Sequence, residues 1–225
     1  MLNVPLAVPR LSHAKPVPAL REFRFNASPT SANLGTGNDF VAWTYNGQIP
    51  GPEIRVREGE TIRVVLNNNL PEPTTIHWHG VPVKNAMDGV PGVTQKPVMP
   101  GETFTYEFAA RPAGSFMYHS HVNYQLDQGL YGPLIIEPAH PQNSYDIEFT
   151  LMLEDWVMKD GGGTANTIRR PAMGMMRGMG MGPRGIRQGP GPLLEPVYDG
   201  FAVNGRVFPS VDPLEVRKVK TEGGF

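Results

Sequence analysis

In the run Glu53-Ile54-Arg55-Val56-Arg57-Glu58-Gly59-Glu60-Thr61-Ile62-Arg63-Val64-Val65-Leu66-Asn67, apolar side chains alternate with charged ones on both sides of a Glu-Gly-Glu turn. Such alternation belongs to strands with one face buried and the other wet. The pattern extends in both directions. Arg21–Ala27 sets Phe23 and Phe25 between polar neighbours. Thr75–His79, Glu102–Phe108, Ser115–His121 and Leu130–Glu137 are further runs of five to eight residues, punctuated by Gly, Pro or Asn. No amphipathic helix pattern of useful length intervenes. The chain reads as all-β, an antiparallel sandwich or barrel.

Length and composition bound what such a chain can be. At about 150 residues per domain, 225 residues make roughly one and a half domains. The chain has 26 Gly and 24 Pro, so it is rich in turns, and its 40% hydrophobic content is enough for a core. Twenty Lys and Arg against 21 Asp and Glu leave a net charge of −1, so no basic surface for a nucleic acid is expected. Cysteine is absent, which excludes disulfides, thiolate metal ligands and a cysteine nucleophile. No stretch approaches the ~20 apolar residues of a membrane-spanning helix. Met1–Leu11 lacks the basic start and the apolar length of an export signal.

A repeat explains the fractional domain count. Asn46-Gly47-Gln48-Ile49 is echoed by Asn204-Gly205-Arg206-Val207, and Ile54-Arg55-Val56-Arg57 by Leu214-Glu215-Val216-Arg217. The expected organisation is a tail at 1–19, a complete β-domain at 20–138, and the opening part of a second at 139–225. Residues after about 140 are expected to pack poorly on their own. Between the copies, Gly161–Pro192 carries five arginines and no acid, and holds Met173, Met175, Met176, Met179 and Met181. Its Gly and Pro content denies it a packed core. Thioether sulfur is a soft ligand suited to Cu(I), and a linker whose methionines bind nothing is the other reading. Met99, Met117 and Met152 sit in strand patterns and are expected in the core.

Four of the six histidines form two His-x-His units, His77-Trp78-His79 and His119-Ser120-His121. On a strand, residues i and i+2 share a face about 6.6 Å apart. Two such strands side by side would bring four neutral nitrogen donors to one small volume. All-nitrogen ligation suits copper, zinc, nickel or iron, with copper at the top of the affinity order. His13 and His140 lie in a Pro-rich tail and a linker and read as structural or merely exposed.

Several motifs around these histidines resemble the first domain of the multicopper oxidases. They are Ile76-His77-Trp78-His79-Gly80, Asp88-Gly89-Val90-Pro91-Gly92-Val93-Thr94-Gln95, Pro100–Phe108, Tyr118-His119-Ser120-His121 and Gln128-Gly129-Leu130-Tyr131-Gly132-Pro133-Leu134. The resemblance covers about residues 40–138, and Asn204–Pro209 is similar to the start of the family's second domain. It implies a cupredoxin-like Greek-key β-sandwich followed by an incomplete second cupredoxin domain. It also implies copper as cofactor, with His77 on the type 2 ion and His79, His119 and His121 on the type 3 pair. Asp88 matches a carboxylate that assists proton delivery; on its own terms it is an Asp-Gly turn residue. The implied partners are dioxygen and a small reducing substrate, phenolic or metallic, and related proteins are periplasmic or secreted.

The chain departs from that family in what it lacks. A type 1 blue-copper centre needs a cysteine, and the other half of the trinuclear ligand set lies in a C-terminal domain around a His-Cys-His segment. A missing domain or another subunit is therefore expected to complete the activity. A non-catalytic copper-binding module or inactive truncated product is the alternative. A third reading is a mononuclear zinc hydrolase, in which three histidines and an open position activate water.

Overall fold

The structure, a computed structural model, describes residues 19–141, 145–157 and 198–207. Among them are eleven strands: β1 Leu20–Ala32, β2 Phe40–Tyr45, β3 Ile54–Arg57, β4 Thr61–Asn68, β5 His77–His79, β6 Thr103–Ala109, β7 Gly114–His119, β8 Tyr131–Glu137, β9 Leu153–Trp156, β10 Gly200–Val203 and β11 Arg206–Val207. Asn85–Met87 forms one 3-10 turn.

Strands β2-β1-β4-β6 make one sheet and β3-β8-β7-β5 a second. Their inner faces share a core. Phe25, Ile62, Val64, Leu66 and Tyr106 from the first sheet meet Ile54, Val56, Trp78, Tyr118, Leu134 and Ile136 from the second. In β4 every second residue is buried, as its alternation predicts. The strands are not all antiparallel. β1 runs parallel to β4 and β3 parallel to β8, while β1–β2, β4–β6, β5–β7 and β7–β8 are antiparallel. Alternation reports which face of a strand is buried and carries no information on the direction of its neighbour, so the antiparallel expectation fails at two pairings.

Boundaries shift for similar reasons. β2 has no counterpart among the expected strands because five of its six residues are buried, which erases the alternation. The Thr75–His79 run is strand only over its last three residues, and the Ser115–His121 run stops at His119.

The two Asn-Gly turns are structural equivalents. Asn46 and Asn204 have φ of 57° and 50°, and Gly47 and Gly205 have 76° and 73°, the left-handed pair that a two-residue hairpin requires. Each asparagine closes its turn with the same three bonds. Asn46 accepts at Oδ1 from the Asn26 N–H, donates Nδ2 to the Arg24 carbonyl, and donates its own N–H to the Asn26 carbonyl. Asn204 makes the same set with Met152 and Thr150.

β9, β10 and β11 form a third, antiparallel sheet. Its inner residues Trp156 and Ala202 are 1% and 3% exposed, in a cluster with Leu34, Phe40, Ala42 and Tyr131. The rings of Trp156 and Phe40 meet edge-on at 5.6 Å. Among the described residues after 140, Trp156 and Ala202 therefore pack on the first sandwich, while Tyr145, Ile147, Phe149, Leu151, Leu153 and Phe201 stay exposed. Met117 and Met152 are half-buried beside this cluster. Met99 is 46% exposed and lies outside any strand, so its expected place in the core is wrong. Leu214–Arg217, the Met173–Met181 run and His13 lie outside the described residues.

Candidate metal centre

The site is built where β5 meets β7. They pair antiparallel with His77 opposite His119, Trp78 opposite Tyr118 and His79 opposite Met117. The two-residue period turns His77 and His79 to one face and Trp78 to the other. Trp78 is fully buried, 4.7 Å from the Phe108 ring and 5.4 Å from that of Tyr106. This aromatic anchor between the two histidines holds their strand against the core. Tyr118 does the same on β7, 0% exposed and donating its hydroxyl to the Pro52 carbonyl at 2.6 Å.

All four imidazoles converge. Ring centroids lie 5.4 Å apart for His77–His119, 5.3 Å for His77–His121, 5.5 Å for His79–His119 and 6.1 Å for His119–His121. His77, His79 and His119 each offer a ring nitrogen, and these three atoms lie within 4.8 Å of one another. His121 joins through its ring contacts. His140, by contrast, is exposed in the linker.

Carbonyl oxygens fix the tautomers. The Nδ1 of His77 lies 2.7 Å from the Asp88 carbonyl and that of His119 lies 2.8 Å from the Ser120 carbonyl. A carbonyl can only accept, so both Nδ1 atoms carry the proton and both Nε2 atoms present a lone pair, the arrangement of metal-ligating histidines. Burial, opposed by the Ser120 bond and aided by the three neighbouring imidazoles, pushes His119 down to about 4, so it is neutral near pH 7. His79 Nδ1 faces His119 Nε2 at 3.3 Å. A proton on one of the two nitrogens, or a cation bound to both, satisfies this contact. The donor set therefore fits a nitrogen-seeking metal.

Asp88 reaches the site chiefly through its backbone. Its carbonyl makes the short contact, and its Oδ1 lies 3.5 Å from the same His77 nitrogen. The loop can approach because Gly89 follows, at φ +79°. A Cβ there would sit 1.9 Å from the Ile76 carbonyl oxygen. Beside His79, Phe116, Met117, Leu151, Met152 and Leu153 line an open, mostly apolar cavity of about 560 Å³. Sequence reasoning missed a buried polar cluster behind the second pair, Thr74, Ser120 and Gln125. Its only trace in the sequence is that polar residues stand at positions flanking the histidines.

The comparisons agree with this geometry. A family model described as multicopper oxidase matches residues 26–141. A copper resistance protein A homolog of Pseudomonas syringae is 42% identical over 140 residues, 62% of this chain and 24% of that protein. Laccase-1 of Cryptococcus neoformans is 34% identical over 197 residues, 84% of this chain and 29% of that one. The crystal structure of a blue copper oxidase from Nitrosomonas europaea superposes with a TM-score of 0.68 at 35% identity, covering 86% of this chain and 56% of that one. The sandwich is thus the cupredoxin-like fold of those oxidases. The chain spans about a quarter of the length of the curated relatives it matches. No helix among the described residues is long and apolar enough to cross a membrane.

Proposed function

The chain belongs to the multicopper oxidase family, and on that premise we propose that it is the N-terminal part of an oxidase coupling one-electron oxidation of phenolic compounds or metal ions to the reduction of dioxygen to water. In this reading His77 serves the type 2 copper, and His79, His119 and His121 serve the type 3 pair, half of the trinuclear ligand set. The observation that carries it is the convergence of four imidazoles with Nε2 of His77 and His119 left free by carbonyl bonds at Nδ1. Copper held there would relay electrons, one at a time, from the reducing substrate to dioxygen. This chain's residues do the holding. The Asp88 and Ser120 carbonyls orient the His77 and His119 rings, and Trp78 and Tyr118 keep their two strands pressed to the core. The Asp88 carboxylate, partly exposed and close to His77, passes protons between solvent and the site.

The four imidazoles converge without help from any other chain, and this supports a second reading, a copper-holding module without turnover. A blue-copper centre, where a reducing substrate would deliver electrons, requires a thiolate.

Titration with Cu(II) followed by electron paramagnetic resonance tests the site itself. Nitrogen hyperfine structure is expected in the wild-type chain and is expected to be lost or simplified in His77→Ala and His119→Ala. Spectra unchanged in both variants would rule out the copper site. Oxygen uptake that appears only when the chain is joined to a cysteine-bearing C-terminal domain would establish the oxidase over the module.

A further inference from the structure

The β5–β7 ladder fixes three of the four histidines, because β7 ends at His119. His121 stands two residues beyond the last pairing, with no ladder of its own. What holds it is a set of bonds to Ser120, the residue between the two histidines. The Ser120 N–H donates to the Leu130 carbonyl at 2.9 Å, and the Val122 N–H donates to Ser120 Oγ at 3.2 Å. Ser120 Oγ in turn donates to Gln125 Oε1 at 2.7 Å. That same oxygen accepts from Thr74 Oγ1 at 2.7 Å, while Gln125 Nε2 donates to the Pro73 carbonyl at 2.9 Å. Thr74 is locked in place by two backbone bonds with Val98, at 3.0 and 2.8 Å.

One carboxamide thus joins the chain leading into the first histidine pair to the middle of the second. Thr74, Ser120 and Gln125 are 0%, 2% and 1% exposed. Burying such a polar group is costly unless its bonds are made, and here the three side-chain bonds of Gln125 run to Pro73 and Thr74, just before the first histidine pair, and to Ser120 within the second.

We propose that Gln125 is a positioning residue for the second pair, acting through Ser120, with His121 the ring most dependent on it. The Ser120 carbonyl also holds His119 Nδ1, so the same anchor bears on that ring, but His119 has its strand partners as well. The proposal rests on the copper reading of the four histidines, and its test is arranged so that each can fail alone.

Two variants break the link differently. Gln125→Met keeps the side chain's length and loses all three bonds. Ser120→Ala removes the Gln125 bond together with the Val122 N–H bond and the Thr74 contact at Ser120 Oγ, leaves Gln125 bonded to Thr74 and Pro73, and decides the matter if Gln125→Met does not fold. In the metal-free protein, the imidazole signals of His121, assigned by their loss in His121→Ala, are expected to shift or broaden in both variants, and by more than those of His77, which feels the change only through the neighbouring ring. Unchanged His121 signals in the folded variants overturn the proposal whatever the copper result. With Cu(II), both variants are expected to bind about 10- to 100-fold more weakly, as when the support behind a ligand is lost. In the His121→Ala background the loss from Gln125→Met is expected to shrink to about threefold or less. Full additivity, the result of a generally loosened fold, overturns it. A wild-type chain whose copper uptake ignores His77→Ala and His119→Ala sinks the copper reading instead, and the imidazole signals then decide the role of Gln125.

Discussion

Gly89 places the Asp88 carbonyl against His77, and two separate physical terms demand glycine there. Its φ of +79° disfavours any L side chain, and a Cβ would lie 1.9 Å from the Ile76 carbonyl oxygen. Gly101 has nearly the same φ, +81°, and nothing within 4 Å of its Cβ position. The pair separates conformation from collision. Gly101→Ala is expected to cost about 1–2 kcal/mol, the left-handed penalty alone. Gly89→Ala adds a backbone clash and is expected to cost clearly more, about 3 kcal/mol or above, the range reached when strain adds to overpacking. Because Ile76 precedes His77, it should also weaken metal binding, which Gly101→Ala should leave untouched. Equal shifts in thermal unfolding for the two variants would mean that the contact with Ile76 is relieved at no cost. The histidines themselves were legible from their spacing, since a period of two is local. The carbonyls that set their tautomers were not, because a backbone acceptor leaves no mark on residue type.

At the scale of the element, β9 carries a charge on its inner face. Glu154 is 8% exposed and alternates with the buried Trp156. Its carboxylate accepts the Gly205 N–H at 2.8 Å, which ties β9 to the second Asn-Gly turn. The buried Tyr131 hydroxyl and Trp156 indole N–H, which make no hydrogen bond of good geometry, are its neighbours. Burial pushes Glu154 up to about 7, against the lowering effect of the Gly205 bond. A carboxyl raised in the folded state keeps its proton while the unfolded chain releases it. Its contribution to stability is therefore full below the ordinary carboxylate range and is lost as pH rises towards about 7, by roughly 2–3 kcal/mol. Glu154→Gln is expected to flatten that slope, gaining on the wild type at about pH 7.5 and not at about pH 5. Parallel slopes in thermal melts of the two proteins would show that Glu154 ionises freely where it is. The sequence could not reveal this strand. Leu153-Glu154-Asp155-Trp156 alternates in burial but not in polarity, and its partner β10 lies more than forty residues away. The parallel pairings of β1 with β4 and β3 with β8 were hidden for the same reason, since strand direction is fixed by contacts between distant segments.

For the whole molecule, the stretch leading into β9, with β9 and β10 themselves, leaves a row of large apolar side chains exposed. Tyr145, Ile147, Phe149, Leu151 and Leu153 are 66%, 37%, 45%, 47% and 78% exposed, and Phe201 on β10 is 76% exposed. Leu153 lies opposite Val203, and Phe201 opposite Asp155, on the outer face of the third sheet. Arg55 holds this stretch to β3 through Glu148 at 3.1 Å and Thr150 at 3.2 Å, so the row is presented on an anchored segment. Contiguous apolar surface of this kind drives association when nothing covers it. At about 1.5–3 kcal/mol for each large side chain withdrawn from water, two such residues shift a dissociation constant by tenfold or more. The chain is therefore expected to self-associate as its concentration rises. Phe201→Lys is expected to move that transition to at least about tenfold higher concentration, with the copper hyperfine pattern unchanged because Phe201 does not line the cavity beside His79. Sedimentation velocity over a concentration series reads the first effect and electron paramagnetic resonance the second. A wild-type chain that stays monomeric throughout would mean that these exposed side chains do not drive association.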